Sequence, residues 1–226
     1  MHRPFRLEIK RTALLIVDLQ EEQRGPDYQV AEFDRVLGNV RRLLDAARTR
    51  GMKVIHSAFR RDFQATPERP FEPLTEDGRP TFSDPASTLT DICHEVAPAP
   101  SETVIYKNDA SVFSEGTLQP MLAGAAINWL VVTGVWTEAC IAATIRDAIA
   151  AGIHALLVKD ACGSGTAALH ETGVLNIANR LYGGAVADTD ATLRLIAGEE
   201  RDIWISVKPV PILFTYADAA AHYRNL

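Results

Sequence analysis

Six short apolar runs, most of them separated by helical patterns, constrain this chain more than any other feature. "TALLIVDL" (residues 12–19) is almost continuous in apolar and β-branched residues, as a strand covered on both faces must be. "KVIHSAF" (53–59), "ETVIYK" (102–107), "WLVVTGV" (129–135), "HALLVKD" (154–160) and a weaker "GAVADT" (184–189) follow it. Residues 31–50 place Phe33, Val36, Leu37, Val40, Leu43, Leu44 and Ala47 at helical spacing and stop at Gly51. Residues 116–126, 138–151, 166–182 and 189–198 carry further helical patterns. Strand then helix, repeated, requires parallel strands joined by right-handed crossovers. The expected fold class is α/β: a doubly wound, Rossmann-like, mostly parallel sheet of about six strands with helices on both faces.

Two stretches break this rhythm. Residues 60–101, rich in Pro, Thr, Asp and Glu, make a connection longer than compact domains usually allow, and such loops serve as lids or binding loops or stay disordered. Residues 201–226 lie beyond the last sheet unit, and their apolar members (Trp204, Ile205, Ile212, Leu213, Phe214, Tyr216) need a surface to pack on, for which a neighbouring subunit is a candidate. The chain therefore divides into one domain over 1–200, with the loop inserted in it, and a C-terminal extension over 201–226.

The bulk properties exclude several function classes. A formal charge of -6 argues against a nucleic-acid partner, which needs a basic face. No apolar run reaches the roughly 18 to 20 residues of a membrane span, and "MHRPFRLEIKR" precedes no signal-type apolar segment. Cys93, Cys140 and Cys162 show neither CxxC nor zinc-finger spacing, and their odd number suits a reducing compartment. A cytoplasmic location is expected.

Open α/β sheets bind ligands outside the carboxyl ends of their strands. The first run ends in Asp18, the third in Lys107, and a helix begins near Cys140 shortly after the fourth ends at Gly134. Taken singly, Asp18 could cap a turn, Lys107 could be an exposed strand end, and Cys140 could be a core cysteine. Taken together, an acid, a cation and a thiol at one sheet edge suit nucleophilic catalysis. The thiol attacks, the carboxylate moves its proton, and the ammonium stabilises the anions. A thiol at a helix start beside a cation is expected to have a lowered pKa.

These residues also carry a resemblance. "LLIVDLQ", "YKNDASVFSEGTL" and "VVTGVWTEACIAATIRDAIAAGIHALLVKDACGS" resemble the isochorismatase-like cysteine hydrolases, a superfamily that includes nicotinamidases, N-carbamoylsarcosine amidases and ureide amidohydrolases. The likeness covers residues 11–198. It implies a catalytic triad of Asp18, Lys107 and Cys140, with Lys107, Ser111 and Phe113 matching one motif and Gly134, Val135, Thr137 and Cys140 another. It implies a cis Val135–Trp136 bond and an oxyanion hole from the backbone amides of Trp136 and Cys140. The implied reaction is hydrolysis of a C–N bond in a small amide or ureide, without a cofactor, in a homo-oligomer (dimer or tetramer). Isochorismatases proper characteristically lack the cysteine.

For substrate binding, Gln23, Arg60, Phe113 and Trp136 are the candidates. Gln23 replaces a usual aromatic and either bonds an amide or faces solvent; one of Arg60 and Arg61 could grip a carboxylate. "HSAFRRDFQATPERP" lacks the Asp-x-His metal motif of nicotinamidases, so no metal is expected, His56 reads as a packed strand residue, and nicotinamide itself is in doubt. Other readings are a nicotinamidase-type enzyme, a catalytically idle binding or oligomerisation module, and a thiol-redox role for Cys140. Cys162, near the same edge with no base beside it, reads as structural.

Overall fold

The computed structural model describes all 226 residues and places eight strands in one sheet. In chain order the elements are β1 (His2–Phe5), β2 (Thr12–Val17), α1 (Phe33–Thr49), β3 (Lys53–Phe59), β4 (Thr103–Lys107), α2 (Leu118–Gly124) and β5 (Trp129–Val135). Then come α3 (Ala142–Ala150), β6 (His154–Gly163), α4 (Ala167–Ala178), β7 (Ala185–Ala187), α5 (Thr189–Ile196), β8 (Arg201–Ile205) and α6 (Ala219–Arg224). The spatial order is β1-β8-β7-β6-β5-β2-β3-β4. From β2 the chain winds outward through β3 and β4, then returns to the other side of β2 and winds outward through β5, β6 and β7. The switch point lies between β2 and β5, which pair in parallel from Thr12 opposite Trp129 to Val17 opposite Gly134.

Side chains alternate across β2, so its buried residues feed two cores. Ala13, Leu15 and Val17 join Leu118 of α2, Ile145 of α3, Val174 of α4 and Ala219 of α6. Leu14 and Ile16 join Val40 of α1 and Leu195 of α5 on the opposite face. The apolar stripe of α1 is the one its spacing predicts, Phe33 to Ala47. Gly51, at φ 62°, ends that helix: its N–H reaches Arg48 O and that of Met52 reaches Ala47 O, a Schellman closure.

Eight strands rather than six follow from the two ends of the chain. β1 and β8 pair antiparallel with each other, and β8 pairs antiparallel with β7. β1 is the edge strand and β8 lies between it and β7; "HRPF" contains a proline and has no apolar alternation. The segment after 200 therefore re-enters the sheet. Trp204 and Ile212 are buried within their own chain, while Leu213 and Tyr216 stay exposed. Asn179 holds the strand exit, accepting from Ile212 N and donating to Ile212 O.

The long loop is tied down at several points. Buried Arg61 donates to Thr66 O, Pro67 O and the Glu72 carboxylate, so it organises the loop from inside. Gln20 donates to Phe59 O and Thr90 O and accepts from Phe59 N, which joins the end of β2 to β3 and to the loop. No helix is long and apolar enough to cross a membrane.

The tightest backbone approach is at Gly134, whose φ is 113° and where a Cβ would lie 2.0 Å from Val17 O. No side-chain movement relieves a clash with backbone. Gly134→Ala is expected to destabilise the fold by about 3 kcal/mol or more, measured as a lowered urea midpoint. A midpoint equal to wild type would contradict the close β2–β5 approach.

Candidate active site

Asp18 leaves β2 with a left-handed φ of 53°, and its N–H donates to Ser57 O on β3. Ser57 Oγ returns the contact, donating to Asp18 Oδ1 at 2.8 Å. The other oxygen, Oδ2, lies 2.8 Å from Lys107 Nζ, an ion pair whose geometry is not that of an aligned hydrogen bond. Lys107 has no solvent exposure. Its ammonium also donates to Asp109 O at 3.0 Å and to Cys140 Sγ at 3.4 Å, and sits 4.5 Å from the centre of the Phe59 ring. The structure thus brings Asp18, Lys107 and Cys140 together at the switch point.

Cys140 lies in a wide, π-type turn, Thr137–Ile141, that runs directly into α3. Such turns displace one residue from the helical ladder and recur at functional sites. The Val135–Trp136 peptide bond is cis. Trp136 O accepts from Ala139 N and Ile141 N, whereas the Trp136 N–H donates to no protein acceptor. An unpaired backbone donor at the head of the turn that carries the thiol is what an oxyanion hole requires.

The electrostatics correct one expectation. The Cys140 thiol is pushed up to about 12, by burial first and then by the Asp18 charge, with Lys107 only partly offsetting them. Proximity to an ammonium does not lower a thiol pKa when a carboxylate neutralises that ammonium. For Lys107, burial pulls the pKa down, but the charge of Asp18 and then of Cys140 overcomes it, and the net shift is upward. The resting site is an ion pair beside a neutral thiol.

The substrate-binding candidates fare unequally. Phe113 is half-buried against the same core as Cys140, and Trp136 packs toward the opposite core with its ring against Gly165. Gln23 is buried, and its Oε1 accepts from Gln20 N within its own turn. The Arg60 guanidinium stacks 4.2 Å from the Tyr106 ring and pairs with Asp91, while Tyr106 and Lys107 point to opposite faces of β4. The structure brings neither Gln23 nor Arg60 to the thiol. Ser57 and Phe59, which do reach the site, were missed; the signal was a polar residue inside an apolar strand, two positions before an aromatic at its end.

Among possible metal ligands, His56 Nε2 lies 3.0 Å from Glu102, which also pairs with Arg48. Glu21, His94 and Glu95 cluster on the surface, and Arg24 takes both carboxylates.

The Isochorismatase domain model matches residues 12–191, most of the chain and every element that builds this site. The chain belongs to the isochorismatase family. It is 28% identical over 190 residues to an N-carbamoylsarcosine amidase from Arthrobacter sp, covering 82% of this chain and 71% of that one. It is 29% identical over 205 residues to a maleamate amidohydrolase from Pseudomonas putida, covering 84% and 90%. Its fold matches a solved cysteine hydrolase from Pseudomonas syringae pv. phaseolicola with a TM-score of 0.75 at 20% identity, over 85% of this chain and 95% of that one.

The upward push on the Cys140 thiol gives a direct test. Alkylation of Cys140 by iodoacetamide, followed on its peptide by mass spectrometry, should be slow near about pH 8 and still climbing beyond about pH 10. A rate that has levelled off by about pH 8, where a free thiol titrates, would contradict the electrostatics.

Proposed function

We propose that this protein is a cysteine-dependent amidohydrolase that cleaves a C–N bond of a small amide or ureide through a thioester on Cys140. One observation carries the reading: a single buried ammonium, Lys107 Nζ, touches both a carboxylate at 2.8 Å and a thiol at 3.4 Å. The two curated relatives, an amidase and an amidohydrolase, support the bond class.

Since the thiol rests protonated, its proton must leave as the bond to carbon forms. Asp18 takes it, Sγ bonds the carbonyl carbon, and the carbonyl π pair moves onto oxygen. The N–H groups of Trp136 and Cys140 receive that oxyanion, each donor contributing about 3–4 kcal/mol in comparable sites. When the intermediate collapses, the C–N bond breaks and Asp18 returns the proton to the departing nitrogen. Water then adds to the thioester, giving Asp18 a proton; the C–S bond breaks and the thiolate recovers that proton. The products are an acid and ammonia or an amine. Lys107 holds Asp18 near the thiol, while Ser57 fixes which oxygen faces it. Phe59 and Phe113 supply apolar walls, which suits a small, weakly charged substrate.

The test is ammonia release from nicotinamide, N-carbamoyl amino acids, biuret, ureidoacrylate and maleamate. Turnover of one compound is expected, with Cys140→Ala and Asp18→Asn each lowering kcat by about 10³-fold or more. Full activity in Cys140→Ala would remove the thioester route.

A further inference from the structure

The turn that carries Cys140 is held from behind by a line of hydrogen bonds that the proposed chemistry does not use. Thr137, the first residue of the turn, is fully buried. Its Oγ1 lies 3.0 Å from Gly163 O at the end of β6 and 2.8 Å from His170 Nδ1 on α4. His170 Nε2 in turn lies 3.1 Å from Tyr223 OH on α6. Counting hydrogens leaves one arrangement for a neutral imidazole. A carbonyl only accepts, so Thr137 spends its hydroxyl hydrogen on Gly163. Thr137 Oγ1 must then accept from His170 Nδ1–H, and His170 Nε2 must accept from the Tyr223 hydroxyl. Burial, with Arg35 adding to it, pushes His170 down to about 4, in keeping with a neutral ring.

The outer end of this line is itself anchored. Lys159 Nζ donates to Tyr223 O at 3.0 Å and lies 5.0 Å from the centre of its ring. The inner end is crowded: a Cβ at Gly173 of α4 would lie 3.1 Å from Thr137 Cγ2. Beside it, Ser164 Oγ donates to Glu138 Oε1 at 2.8 Å. A cleft of about 240 Å³ opens behind the turn, lined by Arg35, Cys162, Ser164, His170 and Tyr223 and by none of the triad. Thr137 directly follows Trp136, whose N–H is unpaired, and precedes Cys140 by three residues. A shift of Thr137 therefore moves the nucleophile and the oxyanion donor together.

We propose that His170 and Tyr223 are positioning residues: through Thr137 they set the nucleophile turn, so that the C-terminal helix forms part of the catalytic apparatus. The activity arm of this inference rests on the amidohydrolase reading; the chemical arm does not.

The experiment compares Thr137→Val, Thr137→Ser, His170→Leu, His170→Asn and Tyr223→Phe with wild type. Each is measured for melting temperature, Cys140 alkylation by iodoacetamide, and kcat and KM on the amide that wild type turns over. Asn can donate from the place of Nδ1–H, and Ser keeps the hydroxyl. Thr137→Val and His170→Leu are expected to lower kcat by about 30- to 100-fold with KM within about 2-fold, and to slow alkylation by about 5-fold or more. Thr137→Ser and His170→Asn should recover most of the loss, and Tyr223→Phe, which folds with its ring intact, should cost about 3- to 10-fold in kcat. Lowered melting temperatures with unchanged kcat and with unchanged or faster alkylation would overturn the proposal and leave a purely structural chain. If Cys140→Ala retains full hydrolysis, the thioester route on Cys140 falls, and the alkylation rates alone decide the positioning role.

Discussion

The Lys107–Asp18 pair is the interaction on which the rest of this structure depends. Removing an ammonium from water costs several kcal/mol, which is offset only if its hydrogens all find acceptors. Here the ammonium donates to Asp109 O and Cys140 Sγ and pairs with the Asp18 carboxylate, on three separate segments of the chain. The sheet must therefore bring the end of β4, the exit of β2 and the turn after β5 to one edge. That demand reaches outward. Asp18 adopts a left-handed conformation to face the lysine, Ser57 fixes its second oxygen, and residue 134 is glycine because β5 passes against Val17 with no room for a Cβ.

Much of this was legible in the sequence. Six of the eight strands declare themselves through their apolar runs, and the grouping of Asp18, Lys107 and Cys140 follows from asking which polar residues end those runs. β1 and β8 were not legible: β1 is an edge strand held by backbone pairing, and β8 offers only two buried apolar residues, Ile203 and Trp204, after a charged start. The ionisation of Cys140 was misjudged because sequence proximity names the cation without the carboxylate that neutralises it. Gln23 and Arg60 show a related limit. A polar residue near a strand end is placed by spacing, but whether it faces the ligand or closes its own turn depends on backbone direction, which spacing does not encode.

The segments on either side of the sheet play different parts. The loop over 60–101 is organised from inside by Arg61 and bound to the scaffold by Gln20 and the Glu22–Ser83 contact. Burial raises the Glu22 pKa, with the Ser83 hydrogen bonds opposing it. Two buried acids thus stand four residues apart in different states of use: Asp18 against a cation, Glu22 against a hydroxyl and an amide. The tail, by contrast, reaches the back of the Cys140 turn through α6, His170 and Thr137, while β1, at the other end of the chain, lies at the far edge of the sheet.

The neutral thiol beside a closed ion pair also bears on how a ligand arrives. An ammonium and a carboxylate in contact cancel beyond a few ångströms, and an uncharged Sγ–H adds nothing. The pair and the thiol therefore cast little field of their own beyond the site. Any long-range steering of a ligand, which fades as ionic strength rises, must come from the surrounding charges of a chain whose formal net charge is -6.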